Sequence, residues 1–130
     1  MIGLDTSALI DLFKNDSKIK SFLENTKDQI STTMVNTFEF YIGLDPENNK
    51  HQQEETCYLE TLKTLYHFDI TIQSCKYASR IFWRLKKQGK IISRFDCLIA
   101  AIFIANGVTK ILTRNKKHFE NIKELEIIEY

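Results

Sequence analysis

The chain has 130 residues, 43% of them hydrophobic and 27% charged, with one proline, four glycines and a formal net charge of +1. That balance suits one globular domain (1–130) that buries its own core, and it excludes a disordered chain or a flexible linker. The net charge selects no partner, so its distribution along the chain has to be read instead.

Met1–Leu4 is a short apolar strand that stops at Asp5. Ala8, Leu9, Leu12 and Phe13 then recur at helical spacing over Thr6–Phe13, and Ile19, Phe22 and Leu23 support a second short helix. The β-branched run Gln29–Thr33 reads as a strand, and Val35–Leu44 is apolar at most positions and too long for one, so it reads as a helix. DPENN at 45–49 is a turn. Glu54–Leu65 is helical, and Phe68–Ile72 alternates like a strand. Ser74–Gln88 is an amphipathic helix with Gly89 at its C-terminal cap. Asp96–Ala105 is a buried helix whose apolar run, CLIAAIFIA, is too short to span a bilayer. Lys110–Thr113 and Glu126–Ile128 close the chain as strands. Alternation of strands and helices predicts an α/β sandwich with a mainly parallel central sheet. The absence of a basic, cleavable leader and three unpaired-looking cysteines, Cys57, Cys75 and Cys97, predict reduced core thiols in a cytoplasmic protein.

Four polar residues stand at places where such a sheet binds ligands, beyond the carboxyl ends of its strands. Asp5 follows the first strand; its ordinary role would be a helix N-cap. Glu39 lies between two phenylalanines in FEF, either exposed on a polar stripe with Asn36 or buried at a cost of roughly several kcal/mol unless paired. Asp96 opens a nearly all-apolar helix, where the helix dipole favours an acid. Asn115 follows a later strand, and could serve only as a turn residue. Together they gather carboxylates and an amide at one sheet edge. Mutual repulsion there would be relieved by a divalent cation, and oxygen-only ligation selects Mg²⁺ or Mn²⁺ over zinc. The chemistry implied is metal-assisted phosphodiester hydrolysis.

DTSALID, FEFYIGL, FDCLIAA and ILTRNKKHF, in that order and spacing, resemble a PIN-domain ribonuclease, and specifically a VapC-type toxin of a type II toxin–antitoxin pair. The resemblance covers nearly the whole chain. It implies a PIN-like three-layer α/β/α sandwich, Mg²⁺-dependent endoribonuclease activity with Mn²⁺ able to substitute, an antitoxin partner and a homodimer. It maps the family's acidic quartet onto Asp5, Glu39, Asp96 and Asn115. Asp5 and Asp96 become central metal ligands, with Glu39 completing the site. Thr6 and Thr113 match hydroxyl residues lining such sites. Two positions depart from the pattern: Asn115 replaces the fourth acid, and His118 stands where an aspartate often precedes the last phenylalanine. His118 is assigned no role.

Residues 70–95 hold no acid, and Lys76, Arg80 and Arg84 recur every four residues along one helix stripe. The stripe is either a solvated face or a ridge that leads RNA to the acidic pocket. Trp83, alone in an apolar run, either belongs to the core or stacks on a base of the RNA. Receiver domains and haloacid-dehalogenase phosphatases fit poorly, because Asp5 has no acidic neighbour before Asp11 and Ser7 stands where a second aspartate is needed. The other readings are a degenerate PIN domain that binds RNA or an antitoxin without cutting, and a stand-alone RNA-processing nuclease.

Overall fold

A computed structural model describes residues 1–130. The elements run β1 (Ile2–Leu4), α1 (Thr6–Phe13), α2 (Ser17–Asn25), β2 (Ile30–Thr33), α3 (Met34–Ile42), α4 (Asn49–Leu62), β3 (Tyr66–Phe68), α5 (Ile72–Lys87), α6 (Arg94–Ala105), β4 (Lys110–Leu112) and β5 (Glu126–Ile128). A single 3₁₀ turn, Lys116–His118, lies between β4 and β5. The strands form one sheet in the order β3-β2-β1-β4-β5, and every pairing is parallel. Ile2 of β1 sits opposite Ile30 on one side and Lys110 on the other.

Parallel strands need helical crossovers, and helices on both faces of the sheet bury it twice. One core gathers Ala78, Ile81 and Leu85 of α5 with Ile99, Ile102 and Phe103 of α6. The other gathers Ala8 and Leu9 of α1, Ile19 of α2, Phe40 of α3 and Leu62 of α4. The strands feed both by their two-residue period: Ile2, Leu4 and Leu112 face the second core and Ile111 the first. The result is the three-layer α/β/α sandwich expected, with a sheet that is wholly parallel. No helix is long and apolar enough to cross a membrane.

Several boundaries move from the sequence reading. FDITI is half strand: β3 ends at Phe68, and Thr71 caps α5, its hydroxyl accepting from the Ser74 N–H at 3.1 Å. The Ser74 hydroxyl in turn accepts from the Thr71 N–H at 2.8 Å, a reciprocal box that fixes the helix start. Helix α4 begins five residues earlier than expected, at Asn49, because Asn48 Oδ1 accepts from the N–H groups of Lys50 and His51. Only Cys97 of the three cysteines is buried; Cys57 and Cys75 are exposed. Trp83 is also outside the core, 51% exposed, since the buried stripe of α5 runs through Ser74, Ala78, Ile81 and Leu85. Its ring instead lies under the Lys86 ammonium, 4.8 Å from the centroid.

Candidate active site

The strand order reverses at β1, which has β2 on one side and β4 on the other. In open parallel sheets the loops leaving two such strands diverge to opposite faces and leave a crevice between them. Asp5 leaves β1 and Thr113–Asn115 leave β4, so both enter that crevice. A cavity of about 340 Å³ occupies it, lined by Asp5, Glu39, Asp96, Arg114, Asn115 and His118, with Thr6, Ser7 and Ser93 between them. The four residues selected from the sequence therefore share one cavity.

Asp5 does two jobs. Its Oδ1 caps α1, accepting from the Ala8 N–H at 2.9 Å and from the Ser7 hydroxyl at 2.7 Å. Its Oδ2 accepts from the Thr113 hydroxyl at 2.6 Å, which ties the end of β1 to the end of β4. The residue is only 4% exposed. Burial pushes its carboxyl above the ordinary carboxylate range despite these three hydrogen bonds, and the nearby Asp96 charge adds to the rise.

Glu39 is positioned by a chain of hydrogen bonds. Asn36 Nδ2 donates to the Thr6 hydroxyl at 3.0 Å, and that hydroxyl donates to Glu39 Oε1 at 2.5 Å. Asn36 is itself fixed, because it completes the capping box of α3 with Thr33. Of the two readings of Glu39, the exposed stripe shared with Asn36 does not form: Asn36 is fully buried and Glu39 half-buried and paired. Burial raises the Glu39 carboxyl as well, and Asp96 and Asp5 push it further while Thr6 and His118 oppose. The Asp96 charge thus bears on both Asp5 and Glu39 across the cavity.

Asp96 enters from the first turn of α6, which Ser93 caps with its hydroxyl on the Asp96 N–H at 3.0 Å. Its Oδ2 lies 3.2 Å from His118 Nδ1. Thus His118, given no role from sequence, touches a site carboxylate. Asn115 is held by its own N–H, which donates to the Thr113 hydroxyl at 2.9 Å, and its side chain lines the cavity. Sequence reasoning also missed Ser7, Asn36 and Arg114, whose partners are distant in the chain. The cue available was FEFYIGL's neighbour Asn36, a polar residue in an apolar helix read only as a surface position.

The basic stripe is not part of this cavity. Lys76 and Arg80 are exposed on α5 and line none of it. Arg84 departs from the phosphate-contact expectation, since Glu124 takes its guanidinium in a two-pronged pair at 2.7 and 2.8 Å. That pair raises the arginine and lowers the glutamate, leaving Arg84 committed within the protein.

The donor set suits a hard divalent cation. A carboxylate offers about four lone-pair sites, and Asp5 uses three of them. Glu39 Oε2 and Asp96 Oδ1 accept from no protein donor. No three His, Cys, Asp or Glu side chains converge tightly enough to enclose an ion by themselves. A cation held here would keep water in its remaining positions, which is the habit of Mg²⁺.

The PIN domain family model matches residues 2–125. The chain is similar to Ribonuclease VapC1 of Methanocaldococcus jannaschii, 33% identical over 124 residues, 95% of this chain and 82% of that protein. It is also similar to Ribonuclease VapC of Rickettsia bellii, 34% identical over 129 residues, 96% of this chain and 92% of that protein. Among solved structures, VapBC2 from Rickettsia felis bound to a DNA fragment from their promoter matches with a TM-score of 0.87 at 24% identity, covering 100% of this chain and 99% of that one. VapBC-1 from nontypeable Haemophilus influenzae matches with a TM-score of 0.83 at 24% identity, covering 99% and 98%. The structural matches speak to the fold, and the sequence matches reach along almost all of the chain. On both grounds the chain belongs to the PIN-domain family, and its relatives there are VapC ribonucleases.

Proposed function

We propose that this protein is a divalent-cation-dependent endoribonuclease, the toxin of a toxin–antitoxin pair. The observation that carries the reading is the convergence of Asp5, Glu39 and Asp96 on one cavity at the sheet's switch point. The names of the VapC relatives support the nuclease activity and RNA as substrate. Asp5 and Asp96 would hold Mg²⁺, or Mn²⁺ in its place, with Glu39 directly or through water. When bound, the cation supplies a Lewis acid that makes water nucleophilic near neutral pH and offsets charge on the phosphate. The chain's own contribution is orientation. Thr113 and Ser7 fix the Asp5 carboxylate, Asn36 and Thr6 aim Glu39, and His118 steadies Asp96. Each such contact removes side-chain freedom before the substrate arrives.

The matched solved structures are toxin–antitoxin complexes, which supports an antitoxin partner. A surface beside the cavity adds to that: Phe38 and Phe95 are half exposed with ring centroids 6.1 Å apart, each next in sequence to a site acid. The family resemblance extends the proposal to a homodimer working in the cytoplasm. Asn115 favours a second reading, a PIN domain that binds RNA or antitoxin without cleavage, because an amide leaves the site one charge short.

Incubating total RNA with the wild type and with Asp96→Asn, in Mg²⁺ and in EDTA, separates them. The nuclease reading predicts discrete fragments from the wild type in Mg²⁺ alone. Equal cutting by both proteins would place the activity elsewhere, and cation binding without cutting would favour the binding-only reading.

A further inference from the structure

We propose that Arg114 is a substrate-binding residue, a guanidinium fixed by Asp11 at the rim of the acidic cavity to take a backbone phosphate of RNA. The proposal rests on the ribonuclease reading above and adds to it the cation that meets the polyanion at the site itself.

The geometry is that of a held but uncommitted donor. Arg114 Nη1 donates to both oxygens of Asp11, at 2.8 and 2.9 Å. A guanidinium carries five N–H groups, and those on Nη2 and Nε find no acceptor in the protein. The paired Arg84 is the contrast: both of its terminal nitrogens are spent on Glu124. Exposure is as lopsided as the bonding. The Asp11 side chain is 9% exposed and that of Arg114 58%. Asp11 is anchored again by the Tyr130 hydroxyl at 2.7 Å, so it is a fixed base for the arginine to lean on.

Position makes the free donors useful. Arg114 is the sole Lys or Arg lining the cavity. Its backbone N–H donates to the Ser7 hydroxyl at 3.1 Å, which locks it to the shell around Asp5. An arginine placed to neutralise the site would bond Asp5, Glu39 or Asp96, and it bonds none of them. Asp11 holds one corner of the guanidinium by contact and leaves Nη2 and Nε as a directed fork, which suits a phosphate oxygen. The same two residues could instead form only a clamp between α1 and the loop after β4, with Tyr130 bracing Asp11 from beyond β5, and the two roles differ in what they do to RNA binding.

The test uses a fluorescent single-stranded RNA of about 20 mixed-sequence nucleotides, long enough to cross the site, with Ca²⁺ in place of Mg²⁺ to suppress cleavage. Affinity is measured across a salt series, with melting temperature in parallel. Arg114→Gln is expected to weaken binding roughly tenfold, the scale of one charge-assisted hydrogen bond. It should also lower the slope of log affinity against log salt by about 0.7, one phosphate contact on a single strand. Arg114→Lys keeps the slope. Tyr130→Phe removes a clamp contact but no cation, so it moves the melting temperature and leaves the slope alone. A wild-type slope in Arg114→Gln, whatever its stability, overturns the assignment while leaving the nuclease reading intact. A wild type that fails to bind the RNA at every salt concentration overturns both.

Discussion

Asp5 is an ordinary N-cap and lines the candidate site at once, and this double use explains what could be read from it. The cap bond to Ala8 takes one oxygen, and the other accepts from Thr113 at the edge of the cavity. Sequence alone identified Asp5, Glu39, Asp96 and Asn115, because each acid or amide followed or interrupted an apolar run. It did not identify Ser7, Asn36, His118 or Arg114, because they reach the cavity's shell only through contacts made across the fold, such as His118 with Asp96 or Asn36 with Thr6. The acids carry a stability consequence. Burial and mutual repulsion hold Asp5 and Glu39 above their ordinary values, so the folded state binds their protons more tightly than the unfolded state does. Such a group's destabilising effect is absent below the unfolded carboxylate range and grows as pH rises through the raised folded value. Thermal melts in EDTA should therefore show Glu39→Gln melting above the wild type at pH 7, by about 2 °C for a domain of this size. The difference should close as the pH falls into the carboxylate range. A variant that melts lower at pH 7 would show that Glu39 is stabilised by contacts the charge-repulsion account leaves out.

At the scale of elements, the short strand β1 is approached closely by α6 at Gly3. A Cβ built on Gly3 would come within 2.6 Å of the Phe103 ring, which is fully buried in the core under α6. Gly3→Ala is expected to destabilise the fold by about 2 kcal/mol, the usual effect of overpacking a rigid core. Gly3→Ala combined with Phe103→Leu should recover part of that loss. Chemical denaturation of the three variants measures it, and a neutral Gly3→Ala would mean that the β1–α6 contact has slack. Elements were legible where period and burial coincide, as in α1, whose bounds match the reading from apolar spacing. They were misread where a cap decides. The β-branched Ile70, Thr71 and Ile72 look like strand, but Thr71 closes a capping box and Ile72 begins a helix. The polar first half of α4 has no apolar period to reveal it, and only the Asn48 cap marks its start.

At the scale of the molecule, function follows from strand order. Placing β1 and β4 side by side brings the loop at Asp5 to the loop at Asn115, across more than a hundred residues of chain. The alternation of strands and helices made the sandwich legible, but neighbours within the sheet depend on how the crossovers turn, and that fixes which loops meet. The basic stripe of α5 was less legible for a related reason: charge in sequence does not say which cation reaches the cavity, and the one that lines it is Arg114, while Arg84 is taken by Glu124. The proposed function requires Asp5, Glu39 and Asp96 to hold a divalent cation together. Calorimetric titration of Mn²⁺ into metal-free wild type and Asp96→Asn tests it most directly. A saturable binding event is expected in the wild type, weakened at least about tenfold in the variant, as befits a lost ligand. Equal binding by both proteins, or none by the wild type, would contradict it.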